Sequence, residues 1–271
     1  MAGIMKDSVQ FFYVLRHIPF GGGKIAMTRM IWMMAAGFIA YFVKGFCGFA
    51  NTLVFSSILS FRFDNVNISP VELILGIPAN AFLVWKERRY ADKKIWIPLT
   101  IFMLAGSTGG VLLLKYLDVT RIKSIFGVVV FCVALEMLIR MRQPESSQES
   151  SASKASTIGM ILTGILSGIL CGMFGIGALL AAYVGRATKD TRTFRGSISV
   201  VFLIENLYRF VLYAGTGILN AEVIRQAVFL FPCMIAGLGV GLGCAGRLDE
   251  KKVKTAVVVM LMISGAVLIR F

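Results

Sequence analysis

The sequence predicts an all-α integral membrane protein of two homologous four-segment repeats, inverted relative to each other. Each repeat opens on a glycine-broken, re-entrant helix. Three observations carry that expectation: long apolar runs with few charges, a glycine pattern that returns in the second half, and a charge bias between loops that reverses. Of 271 residues, 57% are hydrophobic and 15% charged, and the mean hydropathy is +0.80. A soluble chain of this length needs more charge to cover its surface. Thr157–Tyr183 carries no charged side chain, and about 20 apolar residues suffice to span the hydrocarbon as a helix. Helices satisfy their backbone internally, so a glycine-rich, helix-period chain reads as a bundle rather than a barrel.

Residues 1–29 read as a basic N-terminal tail in which Gly21, Gly22 and Gly23 break any helix before Lys24. The first repeat, 30–142, holds four segments: Met30–Phe61, Ile68–Trp85, Ile95–Leu114 and Ile122–Ile139. Trp85 and Trp96 bracket a basic stretch, as aromatic residues at a membrane interface do. Residues 143–156, rich in Ser, Glu and Gln, read as a flexible linker. The second repeat, 157–271, holds Thr157–Gly185, Ser197–Tyr213, Ala227–Ala245 and Val253–Ile269.

The halves align collinearly. Gly45-Phe46-Cys47-Gly48-Phe49-Ala50 meets Gly172-Met173-Phe174-Gly175-Ile176-Gly177 at an offset of 127, and Asn80 meets Asn206 at 126. At 131, Ala105-Gly106, Gly110, Leu117-Asp118 and Lys123 meet Ala236-Gly237, Gly241, Leu248-Asp249 and Lys254. The loop after the first segment has a single Lys/Arg and the loop after the second has five; after the fifth there are four, and Ala214–Ile224 has none. Positive charge marks the cytoplasmic side, so the reversal implies inversion, which needs an odd number of crossings per half. Two half-helices meeting at a glycine tip would make the first segment of each half enter and leave on one side. Eight plain crossings remain the alternative.

The net charge of +14 sits in short runs between apolar segments, a match to anionic headgroups rather than to nucleic acid. The five cysteines (Cys47, Cys132, Cys171, Cys233, Cys244) form no CxxC pair, and the one histidine, His17, lies in the tail. Metal sites, disulfides, a cofactor and a Ser–His or Cys–His enzyme are not expected. The expected partners are a small anionic substrate and the bilayer, with a homo-oligomer left open and no nucleic acid.

Irregular backbone at membrane depth must face protein or a water-filled cavity, and a half-helix N-terminus suits an anion. Gly45, Gly48, Gly172, Gly175 and Gly177 are therefore candidate linings of a central site, with Asn51 and Thr52 just past the first break. Close helix packing is the competing reading, favoured for Gly164, Gly168 and the 237–243 glycines. Asn80 and Asn206 occupy equivalent places and carry donors for an oxyanion; interhelical hydrogen bonding is the alternative. Lys44, Glu205 and Arg209 are charge- or proton-coupling candidates. Lys44 is also expected to snorkel to the interface, and Glu205 to neutralise Arg209 four residues on. Glu72 and Glu136 lie in apolar stretches without a visible partner.

These features resemble the sulfite exporter TauE/SafE family, also called the toluenesulfonate uptake permease family. The carriers are Val43–Ala50, Gly164–Gly177 (GILSGILCGMFGIG), Phe194–Leu219 and Phe231-Pro232, within about residues 30–271. The resemblance implies a plasma (inner) membrane permease for sulfite, organosulfonates or related sulfur-containing or carboxylate anions. A non-transporting scaffold or assembly subunit is the alternative, and a membrane enzyme a weaker one. Two departures bear on which anion is taken. Ala178-Leu179-Leu180 stands where the family has further glycine or Gly-Pro-Pro, and the run Leu53–Leu59 lacks the usual proline.

Overall fold

In the computed structural model, the described residues are 24–60, 69–116, 128, 131, 132, 135, 139, 157–188, 190–245 and 262. Most of the expected tail, most of the fourth segment with Glu136, the linker, and all but Met262 of the eighth segment lie outside them. The continuously described stretches hold α1 (Lys24–Cys47), α2 (Asn51–Ser60), α3 (Ser69–Glu87), the 3-10 turn Arg88–Tyr90, α4 (Lys93–Tyr116), α5 (Thr157–Phe174), α6 (Ala178–Ala187), α7 (Thr191–Gly215) and α8 (Ala221–Cys244).

Among the described residues, four helices are long and apolar enough to cross a membrane, over Met30–Cys47, Lys93–Leu113, Arg192–Gly215 and Ala221–Cys244. Their outer faces carry large apolar side chains such as Ile31, Ile101, Val211 and Val228, all well exposed. Lipid is the solvent that accepts such a surface. The protein is integral to the membrane.

Both expected glycine breaks are present, at 48–50 and 175–177. The two limbs at each break are unequal: α1 has 24 residues and α5 has 18, while α2 and α6 have 10 each. α1 exceeds its counterpart α5 because it reaches back to Lys24, next to the three glycines at which a helix was expected to stop.

Pairing between helices maps onto itself when each first-half element is exchanged for its second-half counterpart. α1 packs on α8 as α5 packs on α4, α3 on α8 as α7 on α4, and α3 packs on α7. Glycine makes the two closest pairings. A Cβ built on Gly45 would stand 2.5 Å from the Leu238 carbonyl oxygen; on its counterpart Gly172 it would stand 2.5 Å from that of Ser107. Gly237 and Gly241 press on Phe38 and Phe42 as Gly106 and Gly110 press on Ile165 and Ile169. Lipid tails are as apolar as leucine, so backbone approach rather than hydrophobicity drives such contacts. Gly164 and Gly168 pack likewise, on Phe102 and Met103, whereas Gly239 and Gly243 have open space around them among the described residues.

Candidate functional site

The breaks are built alike. Gly48 (φ 88°) and Gly175 (φ 74°) adopt the left-handed conformation. Their N–H groups donate to Lys44 O at 2.6 Å and Cys171 O at 2.8 Å. This is a helix C-cap of the left-handed type, which disfavours any residue with a Cβ. The chain then restarts as a helix: the carbonyls of Ala50 and Gly177 accept from Val54 N and Ala181 N, each at 3.0 Å. Neither Ala50 nor Gly177 has a side-chain acceptor, so the opening N–H groups of α2 and α6 begin uncapped by the residue before them.

One helix, α7, holds both tips. Arg195 Nη2 donates to Phe46 O at the end of α1, Arg209 Nη1 donates to Cys171 O, and Tyr213 Oη donates to Gly172 O at 2.8 Å. A cavity of about 20 Å³ lies between the tips. On the measure by which a water needs about 10–15 Å³, that admits a compact group.

The cavity gathers Lys44, Asn51, Thr52, Asn80, Gly175, Gly177 and Asn206 from the expected set, together with Glu72, Cys171 and Phe202. Gly45 and Gly172 are absent from its wall and serve the helix contacts described above. Gly48 caps α1 and faces Arg195, whose Cγ would be 3.0 Å from an added Cβ. Glu205 and Arg209 lie behind the wall, both 0% exposed.

A buried polar chain crosses between the halves. Lys44 Nζ donates to Asn51 Oδ1 at 3.1 Å, and Asn51 Nδ2 donates to Glu72 Oε1. Glu72 Oε2 pairs with Arg209 Nη2 at 3.6 Å; Arg209 Nε pairs with Glu205 Oε1 at 3.7 Å, which accepts from Ser107 Oγ at 2.9 Å. Arg209 also donates to Asn206 Oδ1 at 3.2 Å and Ser69 Oγ at 3.4 Å. Glu205 Oε2 has no hydrogen-bond partner among the described residues. Lys44 therefore does not snorkel: it is 2% exposed, because Asn51 and the carboxylate beyond it give its charge a partner inside. Glu72, which shows no partner in sequence, finds two in three dimensions.

Asn80 stands apart. It is 1% exposed, borders the cavity, and neither its Nδ2 nor its Oδ1 has a hydrogen-bond partner among the described residues. Buried amides are almost always satisfied, so these atoms are available to a ligand. Sequence reading missed Gly76, Phe202 and Tyr213. A Cβ on Gly76 would stand 2.9 Å from Glu72 Oε1 and 2.8 Å from Asn206 Nδ2, so this glycine makes room for both. Glu72, Gly76 and Asn80 are four apart on one helix face, a spacing that could have drawn attention to Gly76.

No curated protein and no solved structure matches the chain. Residues 33–268, nearly the whole chain and both breaks, match the sulfite exporter TauE/SafE family. The chain belongs to the sulfite exporter TauE/SafE family, whose members are membrane permeases and exporters of sulfur-containing anions rather than enzymes.

Proposed function

We propose that the chain is a secondary transporter that carries a small anion, such as sulfite, an organosulfonate or a related carboxylate, through the cavity between its two breaks. Asn80 carries this reading. An unpartnered buried amide faces a cavity bounded by the starts of two helices, and uncapped helix N-termini favour negative charge. Asn206 from the other half borders the same space. The cavity's size favours a compact oxyanion over an aromatic sulfonate.

The transporter is multi-pass in the plasma membrane, with inverted halves and re-entrant opening segments. Contact between two loops supports inversion. Arg192 Nη1 donates to Tyr90 Oη at 2.9 Å, and Asp92 N donates to Ser197 Oγ at 3.0 Å. The basic stretches 86–94 and 186–195 thus share one end, which eight plain crossings would place on opposite faces. α2 and α6 pack against α1 and α5 as limbs of hairpins, and at 10 residues each they span only about 15 Å of a roughly 30 Å core. The positive-inside bias makes the shared basic end cytoplasmic. Alternating access follows from exchange between two equivalent packings of the halves.

Flux of radiolabelled sulfite, sulfonates and carboxylates into proteoliposomes tests the function. Transport of one class, lost in Asn80→Ala and Asn206→Ala, is expected. No flux for any anion would leave the scaffold reading in its place. Labelling of single cysteines placed in 86–94 and 186–195 tests the topology, and opposite-side labelling would remove inversion.

A further inference from the structure

We propose that Glu72 is a proton site coupled to the anion: one proton bound to Glu72 accompanies each monoanion through the cavity in the same direction. The inference rests on the transport reading above and adds the coupling ion to it.

Charge balance inside the site carries it. The groups that face Glu72 are Lys44 and Tyr41 from α1, Cys171 from α5 and Arg209 from α7, with Glu205 beyond Arg209. α2 contributes the neutral Asn51. α8 also packs on α3, but its Glu222 and Arg225 pair with each other at 2.8 Å, with Arg225 well exposed. Two buried cations and two buried carboxylates then cancel. An added anion would leave the buried cluster with one uncompensated charge, which a low-dielectric interior resists.

Glu72 already occupies the position of an anion. Its two oxygens engage Asn51 and Arg209, groups that would otherwise serve a substrate. Protonation neutralises one oxygen, leaves the other to accept from Asn51, adds an O–H donor, and releases Arg209's charge toward the cavity. The count returns to zero once a monoanion enters. Gly175 keeps the ion pair open to that space, because an added Cβ would stand 3.2 Å from both Glu72 Oε2 and Arg209 Nη1. Glu205 is a charge- or proton-coupling candidate in the sequence. Glu205 does not border the cavity and is held between Ser107 and Arg209, so a proton there reaches no substrate.

The test uses the full-length protein in proteoliposomes, with the first of radiolabelled methanesulfonate, sulfite and sulfate that it carries. Methanesulfonate is a monoanion throughout the neutral range, which makes its coupling simplest to count. An acidic exterior is expected to accumulate it about tenfold per unit of pH for one proton per monoanion. An entrapped pH dye should acidify when the anion is added. In Glu72→Gln, anion–anion exchange should persist while gradient-driven accumulation falls to the equilibrium ratio of one. Exchange without any pH-driven accumulation in the unmodified protein overturns the proton site and leaves the transport reading intact. So does pH-driven accumulation that survives in Glu72→Gln. Loss of exchange in a folded Glu72→Gln assigns Glu72 to anion binding alone. Absence of flux for all three anions and for the carboxylates named above overturns the transport reading itself.

Discussion

Arg209 sits where both halves meet, and Arg209→Gln is the most informative single change. Its guanidinium lies 3.6 Å from Glu72 Oε2 and 3.7 Å from Glu205 Oε1. At an effective dielectric of about 20, each contact is worth roughly 4–5 kcal/mol of Coulomb attraction before desolvation. Desolvation offsets most of that while the pair is intact. Removing the cation leaves both carboxylates buried without it, and breaking a buried pair costs about 3–5 kcal/mol. The Cys171 carbonyl loses the Arg209 donor as well. Against a total stability of about 5–15 kcal/mol, the variant should unfold far more easily in detergent, followed by tryptophan fluorescence across a denaturant series. Adding Glu72→Gln removes one of the two stranded charges, so the double variant should recover about 1–3 kcal/mol relative to additivity. An Arg209→Gln protein within about 0.5 kcal/mol of the parent, or strictly additive changes, would refute the cross-half ion pair.

Asn80→Ala removes an amide that makes no hydrogen bond among the described residues, so stability should hold while transport falls. A hydrogen bond to a charged ligand is worth about 1.5–3 kcal/mol, which reads as a loss of about 10- to 100-fold in apparent affinity; unchanged transport would separate Asn80 from the substrate. Gly106→Ala and Gly237→Ala should be similarly destabilising, by about 1–3 kcal/mol, because each added methyl meets backbone of the facing helix. Gly109→Ala, with nothing within 4 Å among the described residues, should be silent or slightly stabilising, and thermal unfolding in detergent compares all three. Asp190 caps α7, accepting from Arg192 N at 3.0 Å and Thr193 N at 2.9 Å; those bonds, that of Thr193 foremost, hold its carboxyl below the usual range. A lowered folded value contributes stability above the unfolded pKa of about 3.9 and loses it as pH falls through the folded value. Acid unfolding of Asp190→Asn should lack that component.

Much of the architecture is legible in sequence because it follows from backbone constraints. A left-handed C-cap asks for glycine wherever it falls, so Gly48 and Gly175 stand out, and the pairing of Gly237 and Gly106 with their facing carbonyls repeats because close helix approach asks for the same residue twice. The helix limbs are less legible, since no residue in Lys24–Arg29 distinguishes a helix extension from a basic tail. The link between Lys44 and Glu72 is not legible in sequence, because Lys44, Asn51, Glu72 and Arg209 are joined by contacts 7 to 137 residues apart. Nor could the sequence tell a packing glycine from a lining one: Gly45 and Gly175 belong to the same motif, and only the facing helix separates their roles.

The scaffold repeats across the halves, but the charges do not. At the offset of 127 that aligns the breaks, Lys44 meets Cys171 and Asn51 meets Ala178; at the offset of 126 that aligns Asn80 with Asn206, Glu72 meets Ile198 and Leu83 meets Arg209. The first half therefore supplies the acid that borders the cavity, and the second supplies the cation that neutralises it. Rocking of one half against the other would have to carry or break the Glu72–Arg209 contact. Breaking it empty strands two buried charges, at a cost of the order already assigned to Arg209→Gln. Occupancy by an anion with a protonated Glu72 removes that penalty, because Arg209 then faces the substrate instead. Such a site moves readily when loaded with both ions and reluctantly when loaded with neither, and stranding of charge is what would hold leak flux of either ion low. In Glu72→Gln that restraint is gone, so anion leak down its own gradient should rise even as pH-driven accumulation disappears.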